Sequence, residues 1–201
     1  DDGSGMRTYR RASATKIDYL SLESRNYLNY VRLGYGQRNQ LAGAGEADIT
    51  FIPFAHGMET PAAAIPRTGY AGYEVELFGF YTPVGQSPRV LDGEGEFRAD
   101  FASGLFKTNG TLVYERYLLV DYRTYPHRWQ SVGKIAADGS FFGQFVYEGS
   151  SRDYPVGQRN GRFYGPGGQE LGGAVSAGDA AGGNLAAAFT GKSSSAVGPI
   201  D

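Results

Sequence analysis

The chain has 201 residues, among them 31 Gly, 15 Tyr, 12 Phe, a single Trp and no Cys. A net charge of −2 leaves no electrostatic footprint for nucleic acid, and the absence of Cys removes disulfides, thiolate-held metals and thiol catalysis together. The glycines follow no three-residue period and Pro numbers only 9, which excludes collagen-like and Pro-rich disordered chains.

In chain order, Asp1-Asp2-Gly3-Ser4-Gly5 reads as a polar leader. Residues 1–24 read as extended or weakly ordered, with a helical turn over Lys16 to Glu23. From Asn26 to Tyr35 the chain alternates, Tyr27, Asn29, Val31 and Leu33 opposing Leu28, Tyr30 and Arg32, as in a strand. A Gly/Ala-rich link then leads to a second β-like run, Asp48 to Phe54, which Pro53 either ends or places on a sheet edge. Two prolines around an alanine run make Thr60 to Pro66 a connector and a domain boundary.

Beyond Thr68 the alternation is regular. Tyr73, Val75, Leu77, Gly79 and Tyr81 share one face, with Glu74 and Glu76 on the other. Phe97, Ala99 and Phe101 alternate with Glu96, Arg98 and Asp100; Phe141, Gly143, Phe145 and Tyr147 continue the pattern, as do Leu185, Ala187 and Phe189. Asp92-Gly93, Ser103-Gly104, Asp138-Gly139 and Gly182-Gly183 supply turn chemistry, while Asn109-Gly110 reads as a bend, a bulge or a turn. Glycines inside strands, such as Gly79 and Gly143, fit bends. The runs after Thr68 number about eight, enough to close a small barrel filled by side chains.

The expected fold is therefore all-β: an eight-stranded antiparallel up-and-down barrel over 61–192, a small N-terminal β appendage within 1–60, and a flexible tail over 193–201. The polar tail and the lack of aromatic girdles argue against an outer-membrane barrel.

Gly161-Arg-Phe-Tyr-Gly-Pro-Gly-Gly-Gln-Glu-Leu-Gly-Gly173 resembles the signature of the transferrin-binding protein B-like β-barrel family. Three further pieces fall in that family's order: Pro66 to Tyr73, Asp100 to Gly104, and Ala187 to Lys192, with Ala187 where Gly is usual. The resemblance covers roughly residues 60–192. It implies a bacterial binding protein, surface-exposed on the outer membrane or secreted. Such a protein takes haem, a host haem or iron protein, or related cargo and works beside a TonB-dependent outer-membrane transporter. A lipid anchor is usual there, but its Cys is missing from this chain. Independently of the name, Gly165-Pro166-Gly167-Gly168 reverses the chain, and Glu170 is expected to tie a turn through backbone amides.

Chemistry-bearing residues are sparse. His56 and His127 are the only histidines, without metal-ligand spacing. No nucleophile elbow or phosphate loop has its required context, so the chain is expected not to be an enzyme. The segment from Asp121 to Trp129 reads as a loop and concentrates Tyr122, Arg123, Tyr125, His127, Arg128 and Trp129. An axial His or Tyr, aromatic walls and cations are what haem needs. His127 is the leading iron ligand by this reading; His56, with Met58 nearby, is a weaker one. The same aromatics and arginines equally suit capping of a barrel end or a protein contact. A protein-docking module and a carrier of another small nutrient are the alternative readings.

Overall fold

The computed structural model describes residues 5–23, 28–43, 46–86, 88–115, 126–148, 155–194 and 200. Four strands, β1 (Met6–Ala12), β2 (Lys16–Glu23), β3 (Val31–Gly43) and β4 (Glu46–Gly57), form an antiparallel sheet in chain order. The segment read as a helical turn is strand β2. Ile17 lies opposite both Ala12 and Asn39, so ladders on both sides replace a helix too short to hold itself. Strand β3 starts at Val31, later than expected, and Asn26 and Tyr27 fall outside the described residues. Much of the expected Gly/Ala link is strand as well, since β3 runs to Gly43. Pro53 sits on the edge strand β4 opposite Tyr35, where its missing N–H breaks no inner ladder.

After a short 3-10 turn at Ala62–Ala64, eight strands close a barrel. They are β5 (Tyr70–Thr82), β6 (Arg89–Asp100), β7 (Leu105–Glu115), β8 (Pro126–Ile135), β9 (Ser140–Glu148), β10 (Val156–Tyr164), β11 (Glu170–Gly178) and β12 (Asn184–Ser193). Neighbours pair antiparallel, and β12 closes against β5 from Asn184 opposite Thr82 to Ser193 opposite Tyr73.

The barrel is filled by large side chains lying over glycines. Phe97, Phe106, Trp129, Phe141, Phe145, Phe163 and Phe189 are all buried inside. A Cβ on Gly110 would stand 2.6 Å from the Trp129 ring and 2.2 Å from the Glu94 carbonyl oxygen. Cβ atoms on Gly133 and Gly143 would meet Phe106 at 2.6 and 2.8 Å. Strand glycine here makes room for rings, a small/large alternation suited to a narrow barrel. For the same reason Asp92-Gly93 and Asn109-Gly110 are not turns. Both lie inside continuous β6–β7 pairing, Gly93 yielding to Leu112 and Gly110 to Trp129. Ser103-Gly104, Asp138-Gly139 and Gly182-Gly183 do lie between strands, Gly139 with φ 81°.

Outside, the strands present Glu74, Glu76, Glu94, Glu96, Arg98, Gln130, Lys134, Gln144 and Arg162, none of them buried. Val132, Phe142 and Val156 are exposed on the same wall, but charges spread along the strands interrupt the continuous apolar band that faces lipid in a transmembrane barrel. No described helix is long and apolar enough to cross a membrane.

The N-terminal sheet lies against this outer wall through β3 and β4, over β11, β12 and β5. Phe51 stacks on Phe80 at 3.7 Å and 13°, and Tyr35 meets Phe78 and Phe80 at 5.8 and 5.5 Å. Gly172 brings the two layers close: a Cβ there would be 2.8 Å from Val31 and 2.9 Å from Ala55.

Candidate functional site

The two ends of the barrel are built differently. At one end β10 turns into β11 through Gly165-Pro166-Gly167-Gly168, with Gly165 at φ 86° and Gly168 at φ 74°, where a side chain would strain the backbone. Residues 58–60 bind this turn. The Gly165 amide donates to the Met58 carbonyl (2.8 Å), the Thr60 amide to the Phe163 carbonyl (2.9 Å), and the Thr60 hydroxyl to the Gly165 carbonyl (2.6 Å). Tyr73 donates its hydroxyl to the Gly168 carbonyl at 2.7 Å, and burial raises its pKa.

Glu170 completes the joint. Its buried carboxylate accepts the amides of Asn29 (2.7 Å), Tyr30 (2.8 Å) and Val31 (3.0 Å), where the N-terminal sheet's third strand begins. An anion facing three successive N–H groups forms charge-assisted bonds, roughly twice as strong as neutral ones. The Glu-Leu-Gly-Gly run thus serves both layers: Glu170 and Gly172 hold the sheet, while Leu171 and Gly173 face the lumen, Gly173 beneath the Phe189 ring.

At the other end the connections include residues 83–88, 116–125, 149–155 and 179–183. Asp179 caps one of them, accepting the amides of Ala181 (2.8 Å) and Gly183 (2.9 Å) and the Tyr81 hydroxyl; the tyrosine bond, first among these, holds its pKa below the usual carboxylate range.

The site residues predicted from sequence divide here. Tyr122, Arg123 and Tyr125 lie outside the described residues. His127, Arg128 and Trp129 are not loop but the start of strand β8, so their side chains alternate. His127 points inward, opposite Leu112, with its ring 5.7 Å from that of Tyr147. Burial lowers its pKa, against a smaller raising effect from the Glu148 backbone. Its imidazole is therefore neutral near pH 7, the form that ligates metals. Arg128 faces out, opposite Glu148. Trp129 is 1% exposed, packed against Phe145 at 5.9 Å. It is a lumen residue, out of reach of a docking partner, because the glycines of β6 and β7 leave it a seat.

His56 and Met58 are exposed at the opposite end, His56 tilted against Phe54 at 5.8 Å and the Met58 carbonyl joined to Gly165. They do not come together with His127. The two histidines form no common site.

Sequence reasoning missed the seam between sheet and barrel. Two clefts of about 490 and 720 Å³ run along it, lined by Glu74, Glu76, Glu94 and Glu96. Glu74 lies opposite Glu96, and Glu76 opposite Glu94. Like charges directly across a ladder destabilise it; Lys192 at 3.4 Å from Glu74 and Arg98 at 2.9 Å from Glu96 offset part of this. The alternation around Glu74 and Glu96 carried the signal, but pairing of β5 with β6 was needed to see it.

No family model and no curated relative matches the sequence. Solved structures do. Intact Ap-TbpB, with its N and C lobes, aligns over 96% of this chain and 39% of its own, at 20% identity and a TM-score of 0.62. A Haemophilus parasuis transferrin binding protein B double mutant aligns over 94% of this chain and 37% of its own, at 19% identity and TM-score 0.62. Transferrin binding protein B from Neisseria meningitidis aligns over 93% of this chain and 35% of its own, at 19% identity and TM-score 0.56. The chain thus spans less than two-fifths of the length of these relatives. The four-stranded sheet and the closed barrel together give this chain the transferrin-binding protein B-like fold.

Proposed function

We propose that the protein is a non-enzymatic capture module of a bacterial iron-acquisition route. It meets haem or an iron-bearing host protein at the loop-bearing end of its barrel and passes the cargo to a TonB-dependent outer-membrane transporter. The observation that carries this reading is the sheet-plus-barrel architecture, shared with transferrin binding protein B structures over 93–96% of the chain. The same likeness supports placement at the cell surface or in the secreted fraction. No acid–base or nucleophile constellation supports catalysis among the described residues.

The loop-bearing end is favoured because the other end is occupied by its own hydrogen bonds. For haem, His127 supplies a neutral imidazole at the lumen mouth, Tyr122 or Tyr125 a second ligand, and Arg123 and Arg128 counter-charges for propionates. His56 and Met58 make a lesser site at the far end.

Two titrations on one preparation test the proposal. Hemin binding is followed by the Soret band, and binding of iron-loaded transferrin by an optical biosensor. A saturable Soret shift lost in the His127→Ala, Tyr125→Phe double variant supports haem. Saturable transferrin binding without a Soret shift supports the host-protein form. Failure of both overturns the proposal.

A further inference from the structure

Inside the barrel, Arg159 is a charged side chain in a largely aromatic core. It projects from β10 between Gly143 of β9 and Val175 of β11, with 0% of its surface exposed. Its guanidinium lies over the Phe189 ring at 3.7 Å, with the Phe97 and Trp129 rings each at 5.5 Å. None of Nε, Nη1 and Nη2 has a hydrogen-bond acceptor. Two further polar atoms of the same lumen are also without a partner: Trp129 Nε1 and Thr108 Oγ1, both on fully buried residues. Thr108 faces the lumen beside Phe97, its cross-strand neighbour, and Trp129 neighbours Gly110 two residues further along β7.

Cation–π contact satisfies only the faces of the guanidinium. It offsets only part of the cost of burying the ion. The N–H groups lie in the guanidinium plane, and each wants an acceptor. Deprotonation offers no escape, because burial lowers the Arg159 pKa only to about 9. Arg and Trp offer donors alone, and no described carboxylate pairs with Arg159. A neutral acceptor would satisfy the N–H groups but leave the positive charge unbalanced in a low-dielectric core.

We infer that the barrel lumen holds a small monovalent anion, of the size of chloride, bound by the Arg159 guanidinium with the Trp129 indole N–H and the Thr108 hydroxyl. The ion acts as a structural counter-charge, linking β7, β8 and β10 at the centre of the barrel.

The test is thermal unfolding with sodium chloride exchanged against sodium gluconate at constant ionic strength, on the whole chain and on Arg159→Met. A ligand bound only by the folded state raises the midpoint with its concentration. The expected result is a midpoint that climbs with chloride in the parent and stays flat in Arg159→Met, whose apolar side chain needs no counter-ion. A parent insensitive to chloride, or an equal climb in both proteins, overturns the inference. Crystals of the parent grown in sodium bromide give an independent reading if the variant does not fold. An anomalous peak within hydrogen-bond reach of the Arg159 guanidinium supports the site, and a lumen without one refutes it.

Discussion

The ends of the barrel differ in how they treat polar groups. At the Gly165–Glu170 end, backbone and side-chain groups converge on each other: three amides on one carboxylate, and a hydroxyl, an amide and a tyrosine on the turn. At the other end the sequence between β7 and β8 is rich in aromatic and basic residues, and His127, half-buried and neutral, lies at the start of β8. A joint that spends its polar groups internally has few left for a partner. The proposal therefore places stability at the first end and recognition at the second.

The largest way to break this contrast is Glu170→Ala. It takes the acceptor from three amides of the sheet–barrel joint at about 1–3 kcal/mol each, an expected total of about 3–9 kcal/mol in urea unfolding. Hydrogen exchange at Asn29–Val31 should accelerate well before that of β9 and β10. Glu170→Gln, which keeps one acceptor oxygen, should fall between the variant and the parent.

Gly110→Ala comes next. The new methyl overlaps both the Trp129 ring and the Glu94 carbonyl, an overpacking cost of about 1–3 kcal/mol. It should lower the urea midpoint and change Trp129 fluorescence, and leave exchange at Asn29–Val31 unaltered.

A smaller effect is a pH dependence at the open end. The folded-state pKa of His127 lies below its unfolded value, so the unfolded chain binds the extra proton first. Stability contributed by His127 is complete above the unfolded pKa of about 6.5 and declines as pH falls through that value toward the folded pKa. The urea midpoint should drop over this window, and His127→Gln should flatten that drop. The smallest change is expected for Asp179→Asn, a half-buried cap whose loss should move the midpoint little. Because its pKa is lowered, its contribution disappears only as pH falls below the usual carboxylate range.

The division between ends also explains what the sequence could convey. Alternation from Tyr73 to Phe189 announced a barrel, because one-sided burial writes period two directly into the chain. Glu170 was legible as a backbone tie, since a carboxylate within a glycine turn has few other uses; that its amides lie 140 residues away was not. Asp92-Gly93 misled for a physical reason: glycine serves turns through its backbone and barrels through its missing side chain, and only Leu112 across the ladder distinguishes these. Trp129 misled likewise, looking like a loop aromatic until Gly95 and Gly110 proved to form its seat. The acidic seam and Arg159 depend on neighbours from several strands, which no local window contains.

The division itself is most directly tested by hydrogen-exchange footprinting of the cargo-bound protein. Protection is predicted at the 83–88, 116–128, 149–156 and 179–183 connections, with Glu59–Thr60 and Gly165–Glu170 unchanged. Protection confined to Glu59–Thr60 and Gly165–Glu170 would contradict the assignment and make the clamped end the binding face.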